Sequence, residues 1–182
     1  MNQYAFDLDL PCIFLNEKFN YKKIRTPHLK TNIEKSLSSD CLIFFDTLGL
    51  KVTSTELFYK TPSDSIEYIH IDDFDCVDRA RLNYLIEDNN SMLYFYKPKR
   101  SDAGHRGTNA TGGKPIRYNL DEVELVYQHR IGRPSVIQSE LPHAVFNPNG
   151  IRYNLAVYLS DKTSGKKISF LDAFERFSNF IV

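Results

Sequence analysis

Ser65-Ile66-Glu67-Tyr68-Ile69-His70-Ile71-Asp72, running on into Asp73-Phe74-Asp75, is the stretch on which the reading of this chain turns. Its first part is rich in β-branched and aromatic residues, which suit a strand, and the acidic cluster after it does not continue one comfortably. Alternate side chains of a strand share a face, so His70 and Asp72 point the same way at the strand's end, beside a loop. A helix would send them to different faces. Alone the triplet is weak, because 5 His and 14 Asp in 182 residues give roughly 0.4 such His-x-Asp elements by chance.

Two later segments supply the context. Leu141-Pro142-His143-Ala144-Val145 brings a second imidazole, and Ile151-Arg152-Tyr153-Asn154 brings a guanidinium nine residues beyond it. Two imidazoles and one carboxylate are the ligand set of a non-haem Fe(II) facial triad, which leaves the opposite metal positions open. A basic residue one strand past the second His can hold the distal carboxylate of 2-oxoglutarate.

Composition fits one domain over residues 1–182. Hydrophobic content of 42% and charged content of 25% lie in the globular range, and a chain of this length can bury one sizeable core. Equal numbers of basic and acidic side chains, 23 of each, disfavour a nucleic-acid or acidic-membrane partner. All aromatic content is 13 Phe and 11 Tyr, which tilts the reading towards β-sheet. Cys12, Cys41 and Cys76 are widely spaced and form no Cys-x-x-Cys pair, so neither a structural zinc site nor a disulfide framework is expected. Asp7 and Asp9 near the start predict no signal peptide, and no apolar run approaches membrane-spanning length. A reducing, cytoplasmic setting is expected, which suits Fe(II).

Along the chain, Thr31 to Ser39 reads as a short helix and Cys41-Leu42-Ile43-Phe44-Phe45 as a buried strand. Strands are then predicted at Thr53 to Lys60, Ile66 to Asp72, Arg79 to Ile86, Met92 to Lys97, Val123 to Gln128, Ser135 to Ser139, His143 to Phe146 and Ile151 to Leu159. The turn residues of Glu87-Asp88-Asn89-Asn90-Ser91 predict an antiparallel pair on either side, and Asn147-Pro148-Asn149-Gly150 signals a hairpin. Ser169-Phe170-Leu171-Asp172 has the form of a capping box, with Phe170, Leu171, Phe174 and Phe177 recurring at helical spacing. Many short strands with few helices, one of them C-terminal, predict a mainly β jelly roll.

Lys99 to Pro115 holds four of the 8 glycines together with Lys99, Arg100, His105, Arg106 and Lys114. Such a stretch is either a mobile solvated loop or a lid whose basic character attracts an anion. His28, His105 and His129 read as surface residues. Asp73 and Asp75 lack the Gly and terminal Glu of a calcium loop.

Taken together, Leu57-Phe58-Tyr59, Ile69-His70-Ile71-Asp72, Leu82-Asn83-Tyr84, Phe95-Tyr96, Leu141-Pro142-His143 and Arg152-Tyr153-Asn154 resemble the Fe(II)/2-oxoglutarate-dependent oxygenases, of prolyl-hydroxylase-like type, over about residues 41–160. The resemblance implies a double-stranded β-helix, a cupin-like jelly roll. It also implies Fe(II) held by His70, Asp72 and His143, and 2-oxoglutarate held at its C5-carboxylate by Arg152, whose offset from the distal His fits the family. Family members often carry Ser two residues after the Arg, where this chain has Asn154, an amide that can still donate. The implied reaction is hydroxylation of an amino-acid, peptidyl or small-metabolite substrate with release of succinate and CO2. Retention of Asp72 speaks against halogenation.

Asn83, in an apolar strand, needs partners and is a candidate for the cosubstrate's C1-carboxylate, with a structural hydrogen bond as the alternative. Tyr94 and Tyr96 share a strand face and are candidates for its C5-carboxylate. Two other functions stay open: a jelly-roll binding or structural protein with a vestigial site, and a cupin-like metalloenzyme that does not use 2-oxoglutarate.

Overall fold

The computed structural model describes residues 2–66, 68–72, 79–87, 90–108 and 114–182. In chain order the regular elements are β1 (Ala5–Asp7), β2 (His28–Thr31), α1 (Ile33–Ser36), α2 (Ser39–Thr47), β3 (Leu50–Lys60), β4 (Ile69–Ile71), β5 (Ala80–Leu85), β6 (Met92–Pro98), β7 (His105–Arg106), β8 (Ile116–Tyr118), β9 (Val123–Arg130), β10 (Ser135–Gln138), β11 (His143–Phe146), β12 (Arg152–Asp161) and α3 (Phe170–Arg176). They build two six-stranded sheets, ordered β1-β10-β5-β12-β3-β2 and β7-β8-β4-β11-β6-β9.

The pairing is nested. β6 pairs with β9, β5 with β10, β4 with β11 and β3 with β12, every pair antiparallel. A long antiparallel ribbon closed at β6/β9 has therefore been wound so that its successive rungs fall alternately in the two sheets. That is the double-stranded β-helix, a jelly roll, and the mainly β class follows from it.

This winding explains where local signals mislead. Asp88 and Asn89 of the expected turn between β5 and β6 lie outside the described residues, and in the Asn147 to Gly150 turn Gly150 takes a φ of 60°. β5 and β6 lie in opposite sheets, as do β11 and β12, so neither turn closes a hairpin. The Asn147 amide bonds Thr61 O at 3.1 Å and Gly150 O at 3.2 Å, fastening the corner where the chain crosses over.

Cys41 to Phe45, expected as a strand, lies in the helix α2. Ser38 caps it by accepting from Cys41 N at 3.0 Å, and Gly49 follows it with a φ of 67°, so both ends carry helix signals. Burial follows the helical period, with Cys41 and Phe45 buried and Ile43 63% exposed. The helix expected over Thr31 to Ser39 is a single turn, α1, capped by Asn32.

The outer face of the first sheet carries Leu57, Leu82, Val136, Leu155 and Val157, and against it pack Phe45 of α2 and Phe170 and Ala173 of α3, with Phe177 just beyond. The Ser169/Asp172 capping box forms as read from the sequence, with Ser169 Oγ accepting from Asp172 N at 3.0 Å, while Leu171 is left exposed. Phe177 is fully buried in this layer. Phe177→Ala is expected to lower unfolding free energy by about 3–5 kcal/mol, measured by urea titration, with the lost burial and the cavity both contributing. No helix among the described residues is long and apolar enough to cross a membrane. The stretch 99–115 is not all loop, since β7 lies in it and pairs with β8; residues 109–113 are outside the described ones.

Candidate metal centre

Because helices cover the outside of the first sheet, its inner face is free to be polar. β12 shows the alternation: Tyr153, Leu155, Val157 and Leu159 enter the outer core, leaving Arg152, Asn154, Ala156 and Tyr158 on the opposite face. Arg81 and Asn83 lie on the same inner side of β5, since Asn83 registers with Ala156.

The second sheet contributes the imidazoles. His143 of β11 registers with His70 of β4 on one side and with Phe95 of β6 on the other, so both rings project from the same face. The ring centroids of His70 and His143 are 4.7 Å apart. Asp72, just past β4, completes the group. His70 Nε2 lies 3.3 Å and His143 Nε2 3.9 Å from Asp72 Oδ1, and the three ligand atoms fall within 4.8 Å of one another.

The donor chemistry fits a transition metal. Cis ligands at bonds of about 2.1 Å stand roughly 3 Å apart, so closing the group on an ion needs shifts of about an ångström. His143 Nδ1 donates to Leu141 O at 2.8 Å, which fixes the tautomer and leaves Nε2 as the donor atom facing the group. Burial first, and the His70 ring after it, push the His143 imidazole down to about 3, against the Asp72 charge. It is neutral, as a ligand must be.

Arg81 is the residue that reading the sequence missed. It is 9% exposed, and its Nη1 donates to Asp72 Oδ2, while Nη2 approaches His143 Nε2 at 3.5 Å. One carboxylate oxygen thus faces the imidazoles and the other is taken. Burial raises the Asp72 carboxyl, but the Arg81 guanidinium, the His70 hydrogen bond and the His143 ring outweigh it and hold it well below the usual carboxylate range. Behind Arg81, Tyr158 Oη donates to Glu56 Oε2 at 2.9 Å, and the Phe58 ring lies 5.9 Å away. A signal was present. Asn83 drew attention as a buried amide, and Arg81, two residues earlier, shares its face.

Arg152 is 5% exposed and its Nε has no hydrogen-bond partner among the described residues. Burial, reinforced by the neighbouring Arg81 charge, pushes it down to about 9. A buried guanidinium beside a second one is an anion site by default. Asn154 Nδ2 donates to Asn83 Oδ1 at 2.9 Å, so the two candidate amides hold each other, and Asn154 Oδ1 has no partner among the described residues.

Tyr94 and Tyr96 are placed elsewhere. They pack with Ile69, Val123, Ala144 and Tyr118, on the face of the second sheet opposite to His143, and Phe95 occupies the inner position between them. Burial pushes the Tyr96 hydroxyl up to about 12. His129, expected at the surface, is buried, with Nε2 3.0 Å from Asp7 Oδ1 and 3.3 Å from Ser135 Oγ. Both partners meet the same ring nitrogen, so this is a structural knot tying β1 to β9 and not a nucleophile relay. His28 is half-buried, stacked on Phe58 at 4.8 Å, and His105 is exposed. Asp73, Asp75 and Cys76 lie outside the described residues. Among the described residues, the surface hollow lined by Leu8, Cys12, Phe14 and Tyr84 holds no comparable group of metal ligands.

No family model and no curated protein matches the chain. Among solved structures, the apo form of the non-haem monooxygenase ThoJ is 21% identical, over 68% of this chain and 54% of that one, with a TM-score of 0.36. Its nickel complex is 20% identical over 68% and 53%, with a TM-score of 0.35. A pumpkin seed globulin is 11% identical over 69% and 28%, with a TM-score of 0.32. The chain spans about half the length of the monooxygenase structures it matches. Scores this low, shared by an oxygenase and a seed globulin, carry no argument about activity.

Proposed function

We propose that this chain is an Fe(II)- and 2-oxoglutarate-dependent oxygenase of the cytoplasm that hydroxylates an amino-acid, peptidyl or small-metabolite substrate. The observation that carries the reading is the pairing of a metal-competent His70/Asp72/His143 group with a buried Arg152, whose Nε has no partner among the described residues, on facing inner surfaces of the same jelly roll. A metal alone would need no second buried cation. A dianionic cosubstrate that chelates the metal at one end does.

The bound iron and its cosubstrate would supply dioxygen activation, with succinate and CO2 as by-products. The chain's own part is electrostatic and geometric. His70, Asp72 and His143 would hold the ion. Arg152 would hold the far carboxylate through its fork, and Asn154 and Asn83 stiffen each other through their hydrogen bond. Leu93, Phe95, Leu85 and Ile137 line the interior with apolar surface, which keeps water out of the reacting volume.

One observation favours the silent-site alternative: Arg81 already neutralises Asp72 and reaches towards His143. Anaerobic addition of Fe(II) and then 2-oxoglutarate decides between the readings. The oxygenase gives a visible charge-transfer band, and Arg152→Met raises the 2-oxoglutarate concentration needed for it by at least tenfold while leaving Fe(II) binding intact. Bound iron without a band supports the enzyme that does not use 2-oxoglutarate, and no bound iron supports the silent site.

A further inference from the structure

The registered row that carries the imidazoles does not stop at them. His143 pairs with His70, His70 pairs with Arg117 of β8, and Arg117 pairs with His105 of β7. Registered partners in antiparallel strands project from one face and stand about 5 Å apart at Cα. Arg117 is therefore one strand from a metal ligand and on the same side of the sheet. Tyr68, two residues before His70, shares that side as well.

The side chains make a continuous step away from the centre. The Tyr68 ring lies 4.5 Å from the His70 ring, and the Arg117 guanidinium lies 4.9 Å from the centre of the Tyr68 ring. Tyr68 is 38% exposed, and Arg117 and His105 are exposed too. Arg117 has no carboxylate partner among the described residues. Glu122, which lies 3.9 Å from His105 Nε2, is already committed to Asn119 N at 2.7 Å and Gly104 N at 3.3 Å.

A guanidinium lying over an aromatic ring keeps its edge free and its plane fixed, which is the arrangement that receives a carboxylate or phosphate through two parallel hydrogen bonds. Arg152 and Arg81 are buried on the facing sheet. Among the described residues, Arg117 is the arginine of this face that an incoming molecule meets from solvent.

We infer that Tyr68 and Arg117 form the docking platform for the molecule to be oxidised, and that this molecule carries a carboxylate or phosphate within about 10 Å of the atom that reacts, the span of one strand spacing plus an arginine side chain. The inference rests on the oxygenase reading for the identity of the centre, but the platform itself rests on register, exposure and ring geometry. It narrows the substrate from any metabolite or peptide to an anion.

The test uses two probes, phenyl phosphate and benzoate, titrated into the Zn(II)-loaded protein with and without saturating 2-oxoglutarate, and followed by calorimetry and by 31P line width for the phosphate. Saturating 2-oxoglutarate fills Arg152 and the open metal positions, so the remaining anion binding reports the platform. The expected result is binding of at least one probe, weakened tenfold or more in Arg117→Gln and less in Arg117→Lys, with unchanged circular dichroism. Which probe binds more tightly separates a phosphate from a carboxylate substrate. Equal affinity in wild type and Arg117→Gln overturns the proposal, as does loss of probe binding in Arg152→Met alone, or no binding of either probe. Failure of 2-oxoglutarate itself to bind would instead remove the oxygenase reading, and the titration without it would still decide whether Arg117 receives an anion.

Discussion

Asp72→Ala is expected to unfold the metal-free protein more readily than any other change at the centre, lowering its stability by roughly 3 kcal/mol, besides abolishing metal binding. The reason lies in what Asp72 leaves behind. Arg81 is buried, is held by Asp72 Oδ2 and sits near the second buried guanidinium of Arg152. Removing the carboxylate strands a charge that the interior cannot solvate, and breaking a buried pair from one side costs about 3–5 kcal/mol; the lower end applies because Asp72 keeps 20% of its side chain exposed. In a chain of this size that is a fall of about 10 °C in Tm. The double variant Arg81→Met/Asp72→Ala should recover most of the loss, because neither charge is then left alone, yet it should bind no more metal than Asp72→Ala. If the two single changes simply added in the double variant, the pair would not be coupled.

Arg81→Met alone separates the two roles of the pair. Asp72 would keep Oδ1 for the metal but lose the partner that occupies Oδ2. Metal affinity should fall on the scale of 10–100-fold, as for other residues that orient ligands.

What the sequence disclosed and what it hid divide along physical lines. His70, Asp72 and Arg152 could be singled out as candidates because His70 and Arg152 lie in strands, and Asp72 directly follows one, where period-two alternation is local, and His143 because a single apolar strand frames it. The jelly roll was legible from the number and shortness of its strands. Its winding was not. The residues between β5 and β6 and between β11 and β12 encode a change of direction, and only the nested pairing of distant strands decides that each change crosses between sheets. Cys41 to Phe45 was ambiguous because a short apolar run fits a buried strand as well as a helix, and the deciding marks, Ser38 and Gly49, lie outside it. Tyr94 and Tyr96 could be put on a common face but not on the correct one, since alternation fixes which residues go together and register fixes where they go. Arg117 was invisible for the same reason: its neighbourhood with His70 exists only through the β4/β8 register.

His143 leads to the second large effect, a pH dependence of the metal-free protein. Its imidazole is pushed from its ordinary value to about 3 in the fold, so the native state holds it neutral where the unfolded chain would already be protonated. The unfolded state then binds more protons at every pH from about 6.5 down to about 3, and stability must fall as pH falls across that window, by up to about 1.4 kcal/mol per unit. The contribution is fully present above the unfolded value and lost on acidification. Asp72, held low by Arg81, adds to the same trend only below the ordinary carboxylate range, so the upper part of the window belongs to the histidine. Urea unfolding of chelator-treated protein between pH 4 and pH 7 should show a steep slope that flattens in His143→Gln, whose amide does not titrate. Bound metal should flatten it too, within the range where the ion stays bound, by occupying Nε2 and competing with the proton for the same lone pair. A slope unchanged by His143→Gln would mean that another group, with the Asp7 carboxyl the first to examine, carries the acid sensitivity, and that His143 is more open to water than its burial between Phe95, His70 and Arg81 implies.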